Sequence, residues 1–574
     1  MQVRKVILFV AVSTLFAISS RAAKWYVDNA ATGANNGTSW ANAWTNFSRI
    51  IWGSGGVSAG STLYISGGAV SQTYIASGNS MLSIGASGVA GSNIVIAVGQ
   101  DAGHNGTVIL NANGYMTPIE FNQHNYVTVD GRYDGVIHLQ ITNCSQLTFI
   151  GNNSFAIDVS YCVNPAIFGV DISTASVGVW GIYGSGGEFA YNYLHDIREE
   201  SGIRLVLRNG TSTTNYDLTL VHNNTIQVNK LNPSAGTGAD GISGCRGLTV
   251  YSNVIYGAVG TLVSSEQHQD LIQIQAHYVK IYANDFANGA DSLLDQDNGT
   301  AGFNYGGDLY IYNNTFRVTD GSGGMFYLRI YTSFGTISSV NNCFIDNNTF
   351  IDSALKNAYG PAIGFYNGSG SSTFSNAFIR NNIFYNCGNP ANGYPVCYLT
   401  WTGTFLTNGM VSANNLINAG SKGNATLGFT QSNGQSGAPA FITYLPGSVS
   451  NNLHLAGMDT SAKDNGETLS YFNTDKDGIF RPQGPAWDIG AYEYFTTTPP
   501  ILTSIDINSF SLSGNGTTLD WTPTPAGSYT YTVWRAPALG SGVSWTALQT
   551  GISANTYTDT GAGAGISFYR VSSP

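Results

Sequence analysis

Charged side chains are scarce in this chain, at 10% of 574 residues, with 22 Lys and Arg against 33 Asp and Glu. An ordinary soluble domain carries about 25%. Water-facing helix surfaces are built from Lys, Glu and Arg, so the shortage argues against a helical bundle or a helix-clad α/β fold. The formal net charge of -11 argues against nucleic acid as a partner, because its phosphates need a basic footprint. Cysteine is sparse too. Cys144, Cys162, Cys245, Cys343, Cys387 and Cys397 form no CxxC zinc pattern. The separations 144/162 and 387/397 permit local disulfides in an oxidising compartment, with buried free thiols as the alternative. Beyond the first residues no apolar run is long enough to cross a bilayer.

What is present is strand-and-turn material. The chain has 71 Gly and 55 Asn, and it is 43% hydrophobic and 12% aromatic. That is enough apolar material for a large core, with residues that favour strands and tight bends between them. Residues 1–22 have the pattern of a secretory signal. Arg4 and Lys5 precede an apolar stretch from Val6 to Ile18, and Ser20-Arg21-Ala22 places small residues where a signal peptidase reads. The expectation is an exported protein, secreted or held at the cell surface or in the periplasm, acting as a monomer.

A short pattern recurs through the middle of the chain. It reads EFAYNYL at Asn192, TLVHNNTI at Asn224, TVYSNVI at Asn253 and KIYANDF at Asn284. YIYNNTF at Asn314, FIDNNTF at Asn348, FIRNNIF at Asn382 and VSANNLI at Asn415 follow. The steps are 32, 29, 31, 30, 34, 34 and 33 residues, taken as differences between those positions. Each copy alternates like a strand with one buried face, and no helical pattern follows it. Parallel strands without crossover helices must coil into a solenoid, each coil touching only its neighbours. Asn suits the bend because it tolerates left-handed backbone angles, and stacked amides can bond along the ladder. The apolar residue two places later is expected to stack inside.

This pattern resembles the right-handed parallel β-helix proteins of the pectin-lyase-like kind. WYVDNAATGANNGTSWANAW at 25–44 resembles the opening segment of many secreted bacterial members. DKDGIFRPQGPAWDIGAYEY at 475–494 resembles their closing segment. The resemblance implies an all-β, right-handed parallel β-helix over 23–494, capped at both ends. Trp25, Trp40, Trp44 and Trp52 are expected to plug the first coil, and Trp487 and Tyr492 the last. Asp475 and Asp477 read as a turn rather than a calcium loop. After a linker at 495–500, residues 501–574 resemble a fibronectin type III-like β-sandwich with Trp521, Tyr531 and Tyr569 in its core.

On a solenoid, equivalent positions of successive coils form columns about 4.8 Å apart. The strands ahead of each Asn repeat carry Arg204, then Asp240, then His268, Asp270 and Gln273, then Asp295, then Tyr327 and Arg329. Asp240, Asp270, His268 and Asp295 are the candidate catalytic residues. Arg204, Gln273, Tyr327 and Arg329 are the candidate substrate-binding residues. Asp240 and Asp270 precede their Asn by 13 and 14 residues and align best; Asp295 requires an inserted turn. Lys280, Arg317 and Arg380 read as solvent-facing.

Paired carboxyls on neighbouring coils suit glycoside hydrolysis, one as proton donor and one as base or nucleophile. Polysaccharide β-elimination or epimerisation is the alternative, with His268 as base and Arg204, Arg329 or calcium on Asp240, Asp270 and Asp295 neutralising a uronate. The run ADG followed by HQDL resembles the calcium layout of some pectate lyases, but the lysine those enzymes carry one coil later is missing. The expected partner is a polysaccharide. A non-catalytic glycan-binding adhesin or surface scaffold is the competing class.

Overall fold

The computed structural model describes residues 23–572, apart from 116, 145–153, 183, 207–218, 229–239, 245–246, 258–269, 275–277, 290, 297–307, 320–325, 332–338, 353–361, 367–372, 389–395, 400–408, 419–429, 447, 449, 496–503, 514–515, 525–530, 537–545, 553 and 560–567. The chain is a parallel β-solenoid whose coils present three walls. Among the described residues, thirteen parallel strands form the first wall, from Lys24–Val27 to Met410–Ala413. The second and third walls share one sheet. Two long strands, Val170–Ile182 and Tyr193–Val206, run through both. In later coils the walls separate, so that Val254–Gly257 belongs to the second and Asp240–Gly244 to the third.

The repeated Asn residues form a continuous buried ladder at the corner between the first and second walls. The Asn192 backbone N–H and Nδ2 both donate to Asn224 Oδ1, at 3.0 and 2.9 Å. The same pair of bonds joins Asn224 to Asn253, Asn253 to Asn284, and so on to Asn382 and Asn415. Each Nδ2 also donates to a first-wall carbonyl of the preceding coil, as Asn314 does to Ile281 at 2.9 Å. Gln431 closes the ladder, its Oε1 accepting both Asn415 donors at 3.1 Å.

The bend itself is made one residue earlier than the sequence suggested. The left-handed positions are Tyr191, Asn223, Ser252, Ala283, Asn313, Asn347, Asn381 and Asn414, with φ between 52° and 60°. The ladder Asn is kept for its amide, which fits the bend by bonding and not by backbone tolerance. Two residues beyond it, Ile226, Ile255, Phe286, Phe316, Phe350 and Phe384 are buried as expected. The four phenyl rings stack at 4.9, 4.6 and 5.0 Å.

At the start, Trp44 is fully buried and stacks on Trp25 at 5.3 Å, while Trp52 packs partly against the core. Trp40 instead lies on His104 at 4.1 Å and donates to Asp101. The segment before Tyr494 does more than cover the last coil. It runs back along the ladder corner as a strap. Asn414 donates to the Asn465 carbonyl, Asn381 to Glu467, Asn347 to Asp488 and Asn313 to Thr474. These are four of the five left-handed Asn residues, so in the later coils the doubled Asn serves both bend and strap. Trp487 is buried in the strap beside Phe472, and Arg481 is buried with Glu493 at 3.0 Å. Asp475 accepts from the N–H groups of Asp477, Ile479 and Glu493, which is a turn. Arg380 is not a free surface charge. It pairs with Asp346 at 2.6 Å, and Tyr471 of the strap bonds the same carboxylate.

Residues 504–572 form two three-stranded antiparallel sheets. Leu519, Trp521, Tyr531, Val533 and Ile552 share one core, with Tyr569 packed against it. Cys144, Cys162, Cys343, Cys387 and Cys397 are buried free thiols, and Cys245 lies outside the described residues. Among the described residues no helix is long and apolar enough to cross a membrane.

The ladder predicts a position-specific stability loss. Asn314→Ala strips Asn284 of the acceptor for two buried donors, each worth about 1–3 kcal/mol when left unsatisfied. The expected result is a fall of about 2–5 kcal/mol in unfolding free energy by urea titration.

Candidate active site on the third wall

The third wall turns out of the corner on a column of glycines. A Cβ on Gly178, Gly202 or Gly241 would meet the inward side chains of Leu194, Ile226 and Ile255 at 2.6, 2.9 and 2.7 Å. It would also run into the backbone carbonyl of the next coil. These positions therefore face the core, and in the next coil the place is taken by buried Leu271. The residue before each of them faces away. That column reads Val177, Ser201, Asp240 and Asp270, with Val177 paired to Ser201 and Ser201 to Asp240. Val177 is buried yet lies outside the hydrophobic core cluster.

Asp240 and Asp270 thus sit on adjacent coils, outside the core but shielded from water, at 8% and 1% exposure. The Asp270 N–H donates to Asp240 Oδ1 at 3.2 Å. Burial pushes the Asp240 carboxyl well above the usual carboxylate range, and the negative Asp270 pushes it further. The Asp270 N–H and the Arg204 guanidinium pull in the opposite direction without reversing the shift.

Three residues further along each strand lies a second outward row. Its pairings run Ser83, Glu120, Asp158, Trp180, Arg204, Ser243, Gln273, Leu294, Arg329. Arg204, Gln273 and Arg329 therefore share one register row, half-buried. The sequence reading began this row at Arg204 because the Asn repeat begins at Asn192. The register extends it backward to Trp180, Asp158 and Glu120. The signal for them was the alternation in FAID and TPIE, where one acid ends each strand.

Two expected members do not join the site. Asp295 pairs with Ile274 and Ile330, both buried, and not with Asp270. Carrying the Gln273–Leu294 register back three residues puts Asp291 beside Asp270, because the inserted residues follow this strand and do not precede it. Tyr327 is 1% exposed and its ring meets Phe350 edge-on at 6.0 Å. It continues the inward Leu271 column and is a core residue, not a substrate contact. His268 lies outside the described residues. Among the described residues no cluster of three or more His, Cys, Asp or Glu side chains forms a metal-binding group. Asp240 and Asp270 supply two oxygen-bearing side chains, and Asp295 is at the wrong register to be the third.

No protein-family model matches the chain, and no curated protein matches it. Solved structures with a similar fold include pectate lyase Pel9A, at 15% identity and TM-score 0.38, covering 82% of this chain and 96% of that one. The catalytic unit of a GH87 α-1,3-glucanase from Streptomyces thermodiastaticus strain HF3-3 has 11% identity and TM-score 0.44, covering 67% and 69%. The tailspike protein of E. coli bacteriophage HK620, in complex with pentasaccharide, has 12% identity and TM-score 0.30, covering 90% and 86%.

Asp270→Asn removes the negative neighbour of Asp240 while keeping its backbone donor. Asp240 is then expected to lose its proton at lower pH than in the wild type. The measurement is the protonated-carboxyl infrared band that Asp240→Asn abolishes, followed against pH.

Proposed function

We propose that the chain is a secreted polysaccharide-degrading enzyme that works along the third wall as a glycoside hydrolase. The observation that carries this reading is the pair Asp240 and Asp270, adjacent in the column, with burial and the second carboxyl both pushing Asp240 well above the usual carboxylate range. Hydrolysis needs a proton donor for the leaving oxygen and a second carboxylate as nucleophile or base. A carboxyl raised by burial and by a neighbouring carboxyl supplies the donor in that division of labour. Neighbouring coils lie about 4.8 Å apart, close to the roughly 5–5.5 Å carboxyl separation of retaining enzymes. Asp240 is the proton donor and Asp270 the nucleophile. Gln273 and the two arginines of the outward row bind sugar hydroxyls or acidic groups. The C-terminal module, fibronectin type III-like in sequence, serves as a spacer or a binding accessory, and residues 1–22 direct export.

One observation favours a second reading. Arg204 and Arg329 share the outward row, which suits neutralising a uronate during β-elimination or epimerisation with His268 as base.

A panel of polysaccharides with products read by mass spectrometry separates the two. Hydrolysis adds one water per cut, and elimination adds none and leaves an unsaturated, ultraviolet-absorbing end. Asp240→Asn is expected to lower cleavage by at least about a hundredfold without lowering the melting temperature. Unchanged cleavage removes the pair from the mechanism. A panel that is bound but never cut, by the wild type, supports a glycan-binding scaffold instead.

A further inference from the structure

The strap carries a cavity that the chemistry of the third wall does not use. Its sides are the segments 468–473 and 481–487. They are held together where Thr474 pairs with Phe480 and the Arg481 N–H donates to the Asn473 carbonyl at 2.8 Å. The space between them is about 360 Å³. That falls within the roughly 300–1,000 Å³ of small-molecule pockets and far exceeds the about 30 Å³ of one water. Two of its rings are fixed by the solenoid. Tyr471 bonds Asp346 at 2.6 Å, and Phe472 stacks on Tyr312 at 4.5 Å.

The lining runs from a wet edge to a dry floor. Ser470 and Asn473 are exposed, Tyr471 and Phe472 half-buried, and Arg481 and Trp487 buried at 5% and 1% exposure. Two donors on that floor, Arg481 Nε and Trp487 Nε1, have no hydrogen-bond partner among the described residues. The other guanidinium nitrogens are engaged by the Asp488 and Gly490 carbonyls, Asn313 and Glu493. The guanidinium lies over the indole at 5.8 Å from its centroid, which groups the two unpaired donors together. Buried N–H groups left without an acceptor are costly, so the pair calls for acceptor oxygens. Local charge decides which kind. Glu493 already pairs with Arg481 at 3.0 Å, and Asp475 and Asp488 are buried in the same strap. An anionic ligand would meet a surplus of acid there, and a neutral oxygen would not.

We propose that the strap cavity binds a neutral sugar, whose oxygens accept from Arg481 Nε and Trp487 Nε1. Its hydroxyls bond Ser470 and Asn473, and its C–H face lies against Tyr471 and Phe472. Such a mixture of aromatic surface and a few convergent polar groups suits a small polar ligand. Neither nitrogen is open to solvent, so the exposed edge at Ser470 and Asn473 moves outward as the sugar seats. The inference goes beyond the hydrolase reading. The site lies on the strap and not on the third wall, and it holds a glycan without cutting it.

The test is calorimetric titration of the full chain with four neutral disaccharides, maltose, cellobiose, laminaribiose and chitobiose, and with acidic digalacturonate. The Asp240→Asn chain is the background, so that no probe is consumed on the third wall. At least one neutral disaccharide is expected to bind, and more tightly than digalacturonate. Trp487→Phe keeps a ring and removes one donor, and is expected to weaken that binding about tenfold. Ser470→Trp puts a bulky ring into the cavity from an exposed position and is expected to abolish it. Ser470→Trp decides alone if Trp487→Phe does not fold by circular dichroism. Binding of none of the neutral disaccharides overturns the proposal. So does binding that Ser470→Trp leaves unchanged, and so does a preference for digalacturonate. Failure of the hydrolase reading shows up separately, as a wild type that cuts no glycan while Ser470→Trp still loses the bound sugar.

Discussion

In each coil from Asn224 to Asn415 a buried Asn Oδ1 accepts two N–H groups from the Asn of the coil before it. Both bonds need the two coils to be in one register, because a shift by a single residue would replace the amide with the left-handed position that precedes it. A one-residue slip would also exchange the inner and outer faces of every strand. The amide ladder therefore fixes what the hydrophobic core alone leaves loose. Ile and Phe residues can fill a solenoid interior in more than one arrangement, but a closed chain of donors and acceptors cannot be shifted without orphaning buried N–H groups.

The other features of the solenoid are arranged around that corner. The left-handed residue before each ladder Asn turns the chain from the first wall to the second. Of the five positions where that residue is itself Asn, the side chains at 313, 347, 381 and 414 point outward to the strap, while Asn223 bonds the His222 ring. On the far side, the glycines at 178, 202 and 241 turn the chain again, at positions where a side chain would strike the inward residues. That second turn is what places Asp240 and Asp270 outside the core while still out of water. The chemistry proposed for the pair is a consequence of this geometry, since burial and proximity together raise one carboxyl.

The solenoid was legible because its period is carried by one residue type at one position. The inward stacking of Phe286 to Phe384 followed from the same alternation. The bend was misplaced by one residue, since Asn is suited both to left-handed angles and to buried amide bonding, and the doublets at 313–314 and 347–348 use both properties in turn. The Asp240–Asp270 pairing was readable from near-equal spacing to the next Asn. Asp295 was not, because a spacing does not reveal on which side of a strand the extra residues lie. The strap was hidden for a different reason. Segments that fold back onto earlier coils leave no periodic trace, and the bonds of Asn313 and Asn381 to residues 474 and 467 join distant parts of the chain.

The claim on which the rest depends is that the ladder sets the register of the third wall. Ser243 and Gln273 are register partners on its outer face. Adjacent parallel strands lie about 4.8 Å apart, within the roughly 4.4–6.8 Å that a disulfide spans between Cα atoms. The described native thiols are buried and do not compete. In a chain carrying Ser243→Cys and Gln273→Cys, mild oxidation is predicted to form that cross-link rapidly and completely under native conditions. Two thiols that stay reduced in the folded protein would contradict the register, and with it the placement of Asp240 beside Asp270.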